Sequence, residues 1–141
     1  SAPVQTEPHE DEDLPSAKES NHEILDGDVP RRALSLKFTM RSSDTFLGLP
    51  FDIARYGLLT HMLAQQVNMV PEELIFQGGD CHLYKNHLSA AQELLSRKPK
   101  AELPTLSLPD AVPEDPAGYD AEDISVEEYN PHSTIKAPLA T

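Results

Sequence analysis

Thiol chemistry is nearly absent from this chain. Its one cysteine, Cys81, excludes an intramolecular disulfide and a cysteine-rich zinc fold. Basic residues are scarce as well: 11 Lys and Arg stand against 24 Asp and Glu, a formal net charge of −13. Such a charge repels polyanions, which argues against nucleic acid or an anionic membrane as partners. No run approaches the roughly 18 consecutive apolar residues of a membrane-spanning helix. The opening Ser-Ala-Pro-Val-Gln-Thr-Glu lacks the basic-then-apolar layout of a secretory signal. These absences lead to the expectation of a soluble protein, cytoplasmic or in an organelle matrix, and not a secreted one.

The charge is distributed unevenly. Residues 1–30 hold nine acids and one base, residues 31–100 six acids and nine bases, and residues 101–141 again nine acids and one base. The acidity therefore belongs to the flanks, and the mildly basic middle can still attract a small phosphate. Residues 1–33, Pro- and acid-rich with no apolar periodicity, read as an extension or linker. Residues 34–141 read as one structured portion, with a core over 34–100 and acidic strands and a tail over 101–141.

Within the core, Leu34-Ser35-Leu36-Lys37-Phe38-Thr39-Met40 alternates apolar and polar residues, the signature of a half-buried strand. Gly48 and Pro50 punctuate the chain, and Pro50 is placed to open a helix. From 51 to about 67 the apolar residues leave little polar face, which predicts a long, mostly buried helix with His61 as a core histidine. Asn68 and Pro71 bracket a turn. Leu74-Ile75-Phe76 reads as a short strand stopped by Gly78-Gly79, and an amphipathic helix is expected from about 82 to 97, with Tyr84, Leu88, Ala91 and Leu95 on one stripe. Candidate strands at 103–108 and 124–129 follow. The fold class is α+β, with a mixed sheet. A core of about 67 residues is marginal by itself, so open sheet edges and apolar faces are expected to need a partner.

The candidate chemistry lies in three places. Arg41-Ser42 offers a guanidinium fork and a hydroxyl, suited to a phosphate, although a strand-end arginine in an ordinary ion pair is the plainer reading of these two residues alone. His82 and Tyr84 follow two glycines, whose bare backbone permits close approach of a ligand. Asp52 sits where a helix's first turn favours an acid. Cys81, His82 and His87 match no familiar zinc spacing, and no metal site is expected.

Arg41-Ser42-Ser43-Asp44, Leu49-Pro50-Phe51-Asp52-Ile53-Ala54, the string Gly78-Gly79-Asp80-Cys81-His82-Leu83-Tyr84-Lys85-Asn86-His87, and Tyr129-Asn130-Pro131-His132 with Ile135-Lys136-Ala137-Pro138 together resemble the C-terminal half of the thymidylate synthase and deoxycytidylate hydroxymethylase family. The resemblance implies a partial fold of that family. It also implies methyl or hydroxymethyl transfer from 5,10-methylenetetrahydrofolate to C5 of dUMP or dCMP. On it, Arg41 and Ser42 are expected to hold the 5′-phosphate, and His82, Tyr84 and Tyr129 the sugar. Asp52 would face the base, and Asp44 and Gly48 the folate side, where a capping aspartate and a turn glycine are the plainer alternative. The family's uracil-specific members carry Asn at the position of Asp52, while Asp there, and Met40 before Arg41, resemble the cytosine-specific members. The nucleophilic cysteine, in a Pro-Cys-His context upstream of Arg-Ser, is missing. Cys81 matches a small side chain beside the sugar, not the attacking atom, so no catalytic residue is expected in this chain. Two functions follow as alternatives. One is an enzyme half whose nucleophile comes from another chain or another segment, and the other is a non-catalytic structural subunit of a larger complex.

Overall fold

The computed structural model describes residues 29–139, so the expected linker over 1–33 lies almost wholly outside the described residues. The first strand, β1 (Ala33–Asp44), is followed by α1 (Leu49–Gln66) and β2 (Val70–His82). A 3-10 turn (Lys85–His87) then leads into α2 (Leu88–Ser96). Two short strands, β3 (Thr105–Ser107) and β4 (Ser125–Glu127), close the order, with 3-10 turns at Pro116–Gly118 and Ala121–Asp123 between them.

β1 and β2 pair in parallel, and α1 supplies the crossover that a parallel pair requires. β3 and β4 pair antiparallel. Helix and strand combine as an α+β fold, with the parallel and antiparallel pairings in two separate two-stranded sheets.

The alternation in β1 works as the sequence indicates: Leu34, Leu36, Phe38 and Met40 turn inward while Ser35, Lys37 and Thr39 stay exposed. Phe38 is the centre of the small core. Its ring stacks on Tyr56 of α1 at 4.1 Å between centroids and tilts against Phe76 of β2 at 5.2 Å. Pro71 lies inside β2, beside a register shift between Leu34 and Leu36, where the missing amide donor is tolerated.

α1 is less covered than its composition predicts. Only Thr60 and Ala64 are buried, Phe51 is 72% exposed, and His61 faces outward rather than into a core. The reason is the width of the support. Two strands cover one stripe of a helix, here Tyr56, Thr60 and Ala64 at four-residue steps. Thr60 is buried without penalty because its hydroxyl donates to Tyr56 O at 2.7 Å. Asn68, at φ 50, takes the left-handed conformation that ends the helix.

Two boundaries differ from expectation. Gly78 and Gly79 do not stop β2, and His82 does not open a helix: it ends the strand, paired with Asp44, and α2 begins at Leu88. The glycines serve the pairing itself. A Cβ on Gly79 would lie 2.7 Å from the Arg41 carbonyl oxygen, so β1 is what comes close there. Gly79→Ala is therefore expected to destabilise the chain by about 1–3 kcal/mol, read as a lower urea midpoint with an unchanged m-value. The expected stripe on α2 is also open, with Leu88 and Leu95 exposed and Ala91 half-buried.

The C-terminal segment is strapped onto this frame by polar contacts. Gln65 and Gln66 of α1 donate to Pro109 O and Pro113 O at 2.8 and 3.0 Å. The Tyr119 hydroxyl donates to Gln65 Oε1 at 2.6 Å, and burial raises its pKa above the usual tyrosine value. Beyond β4, Arg97 donates to Ser133 O, and His132 donates through Nε2 to Lys98 O at 2.8 Å.

Candidate functional site

Parallel strands that run side by side bring their carboxyl ends to the same edge, where α/β units commonly bind ligands. Here that edge collects most of the residues singled out in the sequence. Ser42 pairs with Asp80, Ser43 with Cys81 and Asp44 with His82. The end is closed by Thr45, whose amide and hydroxyl both donate to His82 O, at 3.0 and 2.9 Å.

Asp44 turns the chain from β1 into α1. Its Oδ1 accepts from the amides of Phe46 and Leu47 at 3.0 and 3.3 Å, and its carbonyl accepts from Gly48 N. Gly48 precedes α1, and its carbonyl accepts from the amides of Phe51 and Asp52. The turn delivers Asp52 to the first turn of α1. Its carboxylate is mostly covered, with 17% of the side chain accessible, and Oδ1 lies 3.6 Å from the exposed guanidinium of Arg55.

Arg41 and Ser42 are both exposed. Arg41 makes no ion pair among the described residues. Neighbours on a strand project to opposite faces. The two therefore meet one phosphate only if it lies along the open edge of β1. Ser43, next along, is buried with its Oγ unpartnered among the described residues.

His82 and Tyr84 do come together, ring edge to ring face, with centroids 5.1 Å apart. His82 Nδ1 faces the Asp80 carbonyl oxygen at 3.3 Å and Asp80 Oδ1 at 3.7 Å. A carbonyl only accepts, so Nδ1 carries the hydrogen, and it is the other ring nitrogen, Nε2, that is left for a ligand hydroxyl. Tyr84 is exposed and stands in the extended link after β2, not on a helix. Cys81 is an exposed strand residue whose sulfur packs toward Gly78. Tyr129 lies beyond β4, 65% exposed, with no hydrogen bond or ring contact joining it to this edge among the described residues.

One residue that the sequence offered only as part of a motif and as an unsuitable zinc ligand has a structural place of its own. His87, at the end of the 3-10 turn, is fully buried, lies against Tyr84, and bonds Pro138 O at 2.7 Å. Among the described residues no helix is long and apolar enough to cross a membrane.

Comparison with known proteins gives a consistent answer. The family model described as thymidylate synthase matches residues 14–141. The chain is 46% identical over 122 residues to a thymidylate synthase of Francisella tularensis subsp. holarctica, covering 84% of this chain and 43% of that protein. It is 48% identical over 110 residues to a thymidylate synthase of Coxiella burnetii, covering 76% of this chain and 40% of that protein. The chain thus spans less than half the length of these curated relatives.

Proposed function

The chain belongs to the thymidylate synthase family, and from that premise we propose that it is the C-terminal portion of a pyrimidine nucleotide C5-methyl- or hydroxymethyltransferase. It would contribute phosphate, sugar and base contacts for dUMP or dCMP, and a partner chain or segment would contribute the nucleophile. The observation that carries this reading is the gathering of Arg41, Ser42, Asp44, Asp52, His82 and Tyr84 at the carboxyl end of one β-α-β unit.

The chemistry divides as follows. Arg41 and Ser42 bind the phosphate, and His82 accepts from the sugar hydroxyl while Tyr84 packs beside it. Tyr129 belongs to the same sugar site on family grounds. Methylene folate supplies the one-carbon unit when bound, with Asp44 and Gly48 on its side. Asp44's Oδ1 is committed to the turn, which leaves its second oxygen for a ligand. Asp52 chooses the base. A carboxylate accepts from the cytosine amino group, whereas uracil presents a carbonyl that a carboxylate cannot donate to.

The need for a partner is supported by exposed apolar side chains at the start of α1 and along α2, Phe51 and Leu95 among them. Mixing the chain with an N-terminal thymidylate synthase half and assaying folate-dependent modification of dUMP and dCMP tests the proposal. Turnover of either nucleotide is the expected result. An assembled pair that binds neither nucleotide and turns over neither favours the second reading, a non-catalytic subunit.

A further inference from the structure

His87 is the most buried large side chain among the described residues, yet it is polar and incompletely satisfied. Its Nε2 lies 2.7 Å from the Pro138 carbonyl oxygen. Because a carbonyl only accepts, Nε2 carries the hydrogen, and Nδ1 is left with no partner among the described residues. A phenylalanine of similar shape would pack in the same space without stranding a nitrogen. Packing alone therefore does not account for a histidine here.

Its surroundings suggest what does. The imidazole sits between Phe46, in the turn after β1, at 5.5 Å, and Tyr84 at 5.7 Å and nearly perpendicular. The His87 amide also donates to Tyr84 O at 2.9 Å. Tyr84 in turn meets the His82 ring edge-on. A continuous set of contacts thus runs from Pro138 through His87 and Tyr84 to His82. In it the backbone oxygen of a residue 51 positions away fixes the ring that backs Tyr84.

We propose that His87 is a positioning residue that sets Tyr84 for the sugar hydroxyl, and that the Pro138 carbonyl is what holds His87 in that role. The inference rests on the sugar site proposed above and goes beyond it by making the C-terminal segment a buttress of that site. The buttress touches Tyr84 through the ring contact and the backbone hydrogen bond, so its effect on nucleotide would be exerted through Tyr84.

The test compares dCMP and dUMP with their 3′-deoxy analogues, titrated into the full chain together with an N-terminal thymidylate synthase half. Loss of one neutral hydrogen bond's worth of alignment predicts that His87→Phe weakens binding of the 3′-hydroxyl nucleotides by roughly fivefold to tenfold. Binding of the 3′-deoxy analogues stays within about twofold. His87→Gln, which can still donate to Pro138 O, recovers part of the loss. Removing residues 138–141 leaves every side chain of the site in place and is expected to reproduce the hydroxyl-specific loss, so the test survives if His87→Phe fails to fold. Equal weakening of both nucleotide classes, or no weakening in either variant, overturns the proposal. If the unaltered assembly binds no nucleotide, the functional reading fails instead. The buttress is then read from the Tyr84 ring resonances, which shift on truncation if it holds Tyr84 and stay put if it does not.

Discussion

Replacing Arg41 by alanine is expected to weaken pyrimidine monophosphate binding by on the order of a hundredfold or more, with little change in fold. The magnitude follows from the bond type. A guanidinium can grip a phosphate through two charge-assisted hydrogen bonds, each worth about 1.5–3 kcal/mol when removed. The selectivity follows from position. Arg41 is exposed and has no internal ion pair among the described residues, so its removal is expected to cost the fold little. The urea midpoint is expected to correspond to a change within about 0.5 kcal/mol. Arg41→Lys keeps the charge but not the planar fork and is expected to recover only part of the affinity. Calorimetric titration of the assembly with dUMP and dCMP reads the effect. Unchanged affinity in Arg41→Ala removes the phosphate role.

The second large effect is a reversal of base preference in Asp52→Asn. An asparagine amide can donate to O4 of uracil and accept from N3–H, matching that edge, whereas the carboxylate matches the cytosine amino group. One mismatched buried polar contact costs about 1–3 kcal/mol. The ratio of dCMP to dUMP affinity is therefore expected to swing by roughly tenfold to a hundredfold in favour of dUMP. The covered setting of Asp52 supports a full effect, since water has little access to compensate. Arg55, 3.6 Å from the carboxylate, loses a partner in the same variant. Arg55→Ala is the control, and a swing in it as large as in Asp52→Asn would assign the preference to the ion pair. A ratio that does not move in Asp52→Asn contradicts the base assignment.

How legible this molecule is from sequence depends on whether the deciding partner is near or far along the chain. β1 was readable because period-two alternation is a local property, and Phe38 lands in the core where the pattern puts it. The start of α1 was readable within two residues because proline opens a helix by its own geometry. The glycine pair misled, because glycine breaks strands locally but is also what a close approach demands. The carbonyl of Arg41 that forbids a side chain at residue 79 lies 38 positions earlier. The same error moved His82 from strand to helix. The coverage of α1 was not readable at all: its apolar breadth is a property of the segment, but burial depends on how many strands lie beneath it.

The candidate site followed a different logic. Periodicity marked none of Arg41, Asp52, His82 or Tyr84 as functional, and each taken singly has an ordinary structural use. Family motifs selected them. Their common address at the end of a parallel strand pair is a separate, geometric reason to group them. The burial and bonding of His87 were not legible because its partner, Pro138, is distant in sequence and offers only a backbone oxygen, which no side-chain pattern can announce.

The central claim is that these side chains form one nucleotide grip, and backbone amide shift mapping by NMR tests it most directly. Titrating dCMP or dUMP into the isotopically labelled chain, assembled with an unlabelled N-terminal half, is predicted to perturb Arg41, Ser42, Asp52, His82 and Tyr84 together, along one saturation curve. Perturbations confined to one of these places, or following separate curves, would contradict a single shared site.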